Sequence, residues 1–227
     1  MSISEATLFP TEDHPSGSNK FFYFQYLLLW TYIQRVDAVI FQEDIQQGYF
    51  FSGRRYARIK WASYESDEKI TFGPKPIVDH WPALSNAGFG WVEAAFPVHG
   101  TTTKFYFFFG AHVARVKFQP GEKDTIVEGP LKITDKWKSL TNTPFDTIDA
   151  ALVVPDYANQ VYFFRRTHYV RIDAANDKII SGPFKFADKW PGLSQAGFDS
   201  IDAAVPVPNA KVHGEYYVFK GSQYVRL

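Results

Sequence analysis

Four acidic residues recur along this chain at nearly constant spacing. Asp37, Glu93, Asp149 and Asp202 follow one another after 56, 56 and 53 residues. Each sits in an apolar pentapeptide with small neighbours: Val36-Asp37-Ala38-Val39-Ile40, Val92-Glu93-Ala94-Ala95-Phe96, Ile148-Asp149-Ala150-Ala151-Leu152 and Ile201-Asp202-Ala203-Ala204-Val205. Buried carboxylates are usually satisfied by local donors, so these are expected to hold neighbouring units together through backbone N–H groups. Six histidines invite a metal or haem reading. His112 and His168 fall at the same hairpin position of successive repeats, where Arg55 and Gln223 stand in the other two. Such a set can face a ligand or be simply solvated, and turns belong to the surface. His80, between Asp79 and Trp81, reads as a helix cap, while His14, His99 and His213 lie in loops without ligand spacing. Four in-phase arginines, Arg58, Arg115, Arg171 and Arg226, are expected to lay their stems on aromatic strands and pair with acids of the next strand. Trp61 with Tyr64 and Glu65 is the loop stretch best suited to a sugar, whose C–H faces stack on rings while its hydroxyls take fixed hydrogen bonds.

Enzyme chemistry has no foothold in the motifs. There is no Gly-x-Ser-x-Gly, no His-Glu-x-x-His and no phosphate-binding loop. The absence of Cys excludes disulfides, thiolate zinc sites and thiol nucleophiles. The 24 basic and 24 acidic residues cancel, which leaves no overall field to steer the chain onto nucleic acid or an anionic membrane. The apolar run from Phe21 to Ile33 is short and studded with Tyr and Gln, so no membrane insertion is expected. The first residues are acidic and do not resemble a secretory signal. A cytoplasmic protein, or one released without a conventional signal peptide, is the expectation.

The elements that must position these residues repeat with the acids. A period of this size signals a repeat architecture. After each acidic strand comes a second, aromatic one: Tyr49-Phe50-Phe51, Tyr106-Phe107-Phe108, Tyr162-Phe163-Phe164 and Tyr217-Val218-Phe219. A tight turn follows, with Gly53, Gly110 and Gly221 in three copies and Arg166 in the third, where a strained or different turn is expected. The third strand carries the in-phase arginine in an alternating pattern. A polar loop then leads to Gly73-Pro74, Gly129-Pro130 or Gly182-Pro183, followed by a fourth strand, read as 76–78, 131–133 and 184–186. Proline places this strand at a sheet edge. Asp-x-Trp at Trp81, Trp137 and Trp190 reads as a short helix capped by Asp79, Asp135 or Asp188, its tryptophan wedged between units.

Four strands per unit and four units predict an all-β, four-bladed β-propeller with short helices at the outer ends of the blades. The whole of 1–227 forms one domain in this reading, with blade one over about 36–90, blade two about 91–146, blade three about 147–199 and blade four about 200–227. The last unit lacks an outer strand. Each Gly-Pro glycine lies 20 residues before the next core acid, and Gly17 lies 20 before Asp37. The N-terminal stretch, about 18–33, is therefore expected to close blade four and leave no free edge.

The repeat Asp-Ala-Ala, Tyr-Phe-Phe-x-Gly-x-x-Tyr-x-Arg, Gly-Pro, Trp-x-x-Leu resembles the hemopexin repeat, over nearly the whole of Lys20 to Leu227. The closest resemblance is to stand-alone hemopexin-fold proteins, the plant seed albumin-2 proteins and fungal hemopexin-like lectins. Serum hemopexins and matrix metalloproteinases carry disulfides that this chain lacks. The resemblance implies a central tunnel lined by main-chain carbonyls, a hard-oxygen site for calcium or sodium. Carried over, the carbonyls of Asp37, Glu93, Asp149 and Asp202 form one ring, and those of Val39, Ala95, Ala151 and Ala204 a second. It also implies a non-enzymatic binding protein, monomeric or homodimeric. A carbohydrate-binding lectin is the first expectation, because the charge is neutral and no acidic funnel for a polycation stands out. An albumin-2-like carrier or storage protein for a polyamine or haem is the alternative, and a protein-interaction platform a third. Candidate ligand residues are Trp61, Tyr64, Arg55, His112, His168 and Gln223.

Overall fold

A computed structural model of the chain describes residues 22–23, 35–42, 45–60 and 68–227. Its strands form four antiparallel four-stranded sheets. β1 (Phe22–Tyr23) joins a sheet far along the chain. Blade one is β2 (Ala38–Gln42), β3 (Gln47–Ser52), β4 (Arg55–Lys60) and β5 (Lys69–Pro76), and it is followed by helices α1 (Ile77–His80) and α2 (Pro82–Asn86). Blade two is β6 (Ala94–Pro97), β7 (Lys104–Phe109), β8 (His112–Lys117) and β9 (Thr125–Lys132), then α3 (Ile133–Lys136) and a 3-10 turn, Lys138–Leu140. Blade three is β10 (Ala150–Val153), β11 (Gln160–Arg165), β12 (His168–Asp173) and β13 (Lys178–Lys185), then α4 (Phe186–Lys189) and α5 (Pro191–Gln195). Blade four is β14 (Ala203–Pro206), β15 (Tyr216–Lys220) and β16 (Gln223–Arg226), with β1 as its fourth strand. Phe22 is paired with Tyr224 and Tyr23 with Gln223.

The four first strands touch in a closed cycle, β2 to β6 to β10 to β14 and back to β2. This is a four-bladed β-propeller. Small residues make that cycle possible. Ala38, Ala94, Ala150 and Ala203 face one neighbouring blade, and Val39, Ala95, Ala151 and Ala204 face the other, so every one is buried. The aromatic second strands read as continuous apolar runs because a blade is covered on both faces. Tyr49 and Phe51 enter the core shared with blade two, while Phe50 between them enters the core shared with blade four. At roughly 1.5–3 kcal/mol for each fully buried large side chain, these ladders dominate the stability.

Several local expectations are corrected. The fourth strand runs through the Gly-Pro pair rather than after it, and residues 77–80, 133–136 and 186–189 turn into helix. The Gly-Pro bonds are cis and lie where the pairing with the third strand shifts register. Gly73 is fixed there: at φ +86° a Cβ would meet the Tyr56 carbonyl oxygen at 2.7 Å. Arg166 does not change the turn type. It takes φ +50°, beside +51°, +54° and +55° for Gly53, Gly110 and Gly221. Asp79, Asp135 and Asp188 cap no helix, since each sits inside a first turn. The caps come from the next blade: Asp124 Oδ2 accepts the Ala83 N–H at 3.0 Å, and Asp177 accepts the N–H groups of Lys138 and Ser139 at 2.9 and 3.1 Å.

Candidate functional site

Each blade has two ends, and both carry polar groups. At one end stand the four acids, at the starts of the first strands. Their N–H groups donate to Phe51, Phe108, Phe164 and Phe219 carbonyls at 2.8–3.0 Å. Their carboxylates accept the turn N–H of Gly53, Gly110, Arg166 and Gly221 at 2.6, 2.7, 2.5 and 2.6 Å. Each acid therefore locks the hairpin of its own blade, not the neighbouring blade as the sequence suggested. The spacing explains it: the acid and the turn lie at the same end of adjacent strands in one sheet.

The second carboxylate oxygen varies. Asp37 pairs with Arg35. Glu93 Oε1 accepts the Trp91 indole N–H at 3.2 Å. Asp202 Oδ1 lies 3.9 Å from Lys220, which also bonds Ser200. Burial pushes the Asp37 carboxyl above its usual range, against the pull of the Gly53 N–H and Arg35, and the charge of Asp202 adds to the rise.

For a tunnel cation, the donor set decides. Among the described residues no group of three or more His, Asp or Glu side chains could hold a metal. The side chains of Val39, Ala95, Ala151 and Ala204 offer no ligand and are buried. Main-chain oxygens of Asp37, Glu93, Asp149, Asp202 and of these four remain, from equivalent positions of four first strands in cyclic contact. That set fits a hard cation.

Arg55, His112, His168 and Gln223 open the third strands at equivalent positions of the four blades, opposite Ser52, Phe109, Arg165 and Lys220. The structure thus spreads them over four turns at the acid end. His80 packs its ring edge-on against Phe72 at 5.2 Å. Trp61 and Tyr64 lie outside the described residues. The in-phase arginines also differ from expectation. Arg115 meets an acid of the next strand, Glu128, at 3.4 Å. Arg58 donates to Thr71, Arg171 to Gln160, and Arg226 lies 3.8 Å from Glu215 of the loop before β15.

The opposite end of the molecule carries a cleft of about 670 Å³. It runs from Phe41 of blade one, past the ends of β6 and β10, and out between the loops 98–103 and 154–159 of blades two and three. Its volume falls in the range of small-ligand sites, roughly 300–1,000 Å³. Phe96, Phe105, Val153 and Val161 give it an apolar floor. Tyr157 stands at the edge with 55% of its surface exposed. The Arg171 guanidinium stacks on that ring at 4.4 Å from its centroid and is itself held by Gln160 Oε1 at 2.6 Å. Asn159, Gln160, Thr101 and Thr102 supply amides and hydroxyls. Asp156 and Asn159, at φ +63° and +61°, bend the loop that presents Tyr157. This is an aromatic platform ringed by hydrogen-bonding groups over an apolar floor. Sequence reasoning missed it, although Pro155-Asp156-Tyr157-Ala158-Asn159-Gln160 has the same aromatic, carboxylate and amide content that singled out Trp61 and Tyr64.

No family model matches the chain. It is 27% identical to albumin-2 of Lathyrus sativus over 198 residues, 85% of each chain, and 26% identical to albumin-2 of Pisum sativum over 196 residues, 85% of this chain and 83% of that one. Among solved structures it is similar to a hemopexin-fold protein from cow pea, at 28% identity and TM-score 0.76 over 84% of both chains. It is similar also to a plant lectin with two metal-binding sites from Cicer arietinum, at 26% and 0.75 over 84% of this chain and 85% of that one. A Cicer arietinum albumin showing hemagglutination matches at 26% and 0.76, again over 84% and 85%. With the propeller, the repeat and these relatives in agreement, the chain has the hemopexin fold and is similar to the plant albumin-2 proteins.

Proposed function

We propose that this protein is a lectin-type, non-enzymatic binding protein whose glycan site is the cleft between blades two and three. The observation that carries the reading is Tyr157, a half-exposed ring braced by Arg171 at the rim of an apolar cleft with amide and hydroxyl neighbours. A pyranose presents the complementary surface, a C–H face bordered by hydroxyls. The solved lectin and the hemagglutinating albumin of the same fold support it. A calcium or sodium ion, held by main-chain oxygens of the four first strands, would stiffen the ring of blades. The tests are red-cell agglutination and a glycan array, each with calcium and with chelator. Binding that survives in wild type and is lost in Tyr157→Ala, at unchanged melting temperature, supports the site. Silence on the array would reject the lectin reading.

A second reading, a polyamine carrier, has one observation in its favour: four carboxylates, of Asp37, Glu93, Asp149 and Asp202, stand at the same end of four adjacent strands. A rise in melting temperature with spermine, absent with sodium at equal charge, would select it.

A further inference from the structure

The charged side chains that line the cleft are both basic, Arg115 and Lys136, with no aspartate or glutamate among the lining residues. In a chain of zero net charge this is a local asymmetry. Arg115 and Lys136 share one carboxylate from behind the cleft wall. Lys136 Nζ lies 2.8 and 3.0 Å from the two oxygens of Glu128, and Arg115 Nε lies 3.4 Å from one of them. That trio keeps one net positive charge. The Arg115 Nε is buried and makes no hydrogen bond, since its approach to Glu128 is poorly aligned. Arg171, behind Tyr157, bonds a neutral amide and two rings rather than an acid. Asp173, on the same strand, is committed to the N–H groups of Ala175 and Asn176.

We propose that the cleft selects a carboxylate-bearing sugar, a uronic acid or other acidic residue within an oligosaccharide, and this rests on the glycan reading above. The carboxylate completes the coordination that Glu128 leaves unfinished at Arg115 and Lys136, and the pyranose face lies on Tyr157. Charge-assisted bonds from two cations at the wall of a partly desolvated cleft are stronger than neutral ones. The other equivalent arginines lack this setting. Arg58 meets Thr71 and Arg226 meets Glu215, and neither lines the cleft.

The experiment titrates the full chain with matched oligosaccharides, galacturonate against galactose oligomers of equal length, at low and high salt. The acidic oligomer is expected to bind roughly tenfold more tightly and to weaken with salt, while the neutral one is insensitive. Lys136→Gln and Arg115→Gln should each remove most of that preference, weakening the acidic oligomer severalfold more than the neutral one. Glu128→Gln should do the opposite. By freeing both cations it is expected to strengthen the acidic oligomer roughly two- to fivefold, a gain that a misfolded variant cannot produce. Equal, salt-independent binding of both oligomers, or no gain in Glu128→Gln, overturns the acidic-sugar inference and leaves the lectin reading standing. Binding of neither, with silence on a glycan array, overturns the lectin reading itself.

Discussion

The interface between blades two and three and the interface between blades four and one are built differently. In the first, Trp137 stands inside a cage of Phe96, Tyr106, Phe108 and Phe163, with ring centroids 5.2–6.4 Å away. Its indole N–H donates to the Ala174 carbonyl of the next blade at 2.9 Å. Ile133, Leu140, Phe145 and Ile148 join from the helical crossing, and Asp177 of blade three caps that crossing. In the second, Val39, Phe50 and Ile59 meet Val205, Tyr217 and Phe219 strand face to strand face. No tryptophan and no helix enters that core among the described residues. Across it Phe50 meets Phe219 edge-on at 6.2 Å and Asn209 Nδ2 donates to Gln46 Oε1 at 2.6 Å, while β1, which precedes blade one in the chain, pairs with β16 of blade four. Where the chain crosses from blade to blade, the crossing itself becomes the wedge. The cleft opens beside such a wedge, on a wall held rigid by it.

This contrast can be broken by mutation. Trp137→Ala should have the largest effect, about 3–5 kcal/mol by urea denaturation, because it empties a cage and orphans the Ala174 carbonyl. Phe50→Ala should fall at or below the lower end of that range. Equal costs would remove the distinction between the two kinds of interface. Next in size is Asp124→Ala, at about 1–3 kcal/mol. Asp124 is buried, and its loss leaves the Ala83 N–H unpaired between blades one and two. Asp177→Ala should cost about 1 kcal/mol, as its donors lie nearer solvent. If Asp177 proved the more costly of the two, burial would not be what sets the value of these caps.

The parts legible in the sequence are those that repeat within a sheet. The 56-residue period exposed the four acids, the aromatic ladders and the edge prolines, because strands in one blade share a local pattern. What crosses between blades was not legible. Asp124 and Asp177 bond helices 41 and 38–39 residues earlier, so reading the Asp-x-Trp motif alone credited the caps to the wrong aspartates. The cleft was hidden for the same reason. Tyr106, Arg115 and Lys136 belong to blade two, and Tyr157 and Gln160 to blade three. Nothing in either repeat announces that two loops of unlike sequence will face each other. The acids illustrate the converse: their recurrence was plain, yet their partners proved to be within the blade.

The acid at the four–one interface gives a pH test. Burial raises the Asp37 carboxyl above its ordinary value of 3.8, opposed by the Gly53 N–H and Arg35. A raised folded-state value means that this group's contribution is fully present below the unfolded value and is lost as pH climbs through the folded one. Wild type minus Asp37→Asn stability should therefore fall as pH rises from the ordinary carboxylate range upward, measured by urea denaturation across acidic pH. The same sign holds for Asp124, raised chiefly by burial at the one–two interface. A difference that grows with pH would show Arg35 to outweigh burial.

The smallest effect concerns the hairpins, the part in which all four blades agree. Arg166 occupies the left-handed region at φ +50°, where its three counterparts are glycine. A side chain there costs roughly 1–2 kcal/mol relative to the right-handed region. Glycine would relieve that but lose more freedom on folding, by roughly 0.5–1 kcal/mol. The net gain for Arg166→Gly is expected to be under about 1 kcal/mol, a rise of a few degrees at most in melting temperature. The Asp149 bond is to the backbone N–H and survives the change. The reciprocal variant, Gly53→Ala, should cost about as much, and for conformational reasons alone, because a Cβ at Gly53 meets nothing within 4 Å. Gly73→Ala differs in kind, since its Cβ would strike the Tyr56 carbonyl. If Arg166→Gly instead lowered the melting temperature, the arginine side chain would have to be making a contact that outweighs its strained backbone, and blade three would differ from the others at its hairpin as well as at its cleft.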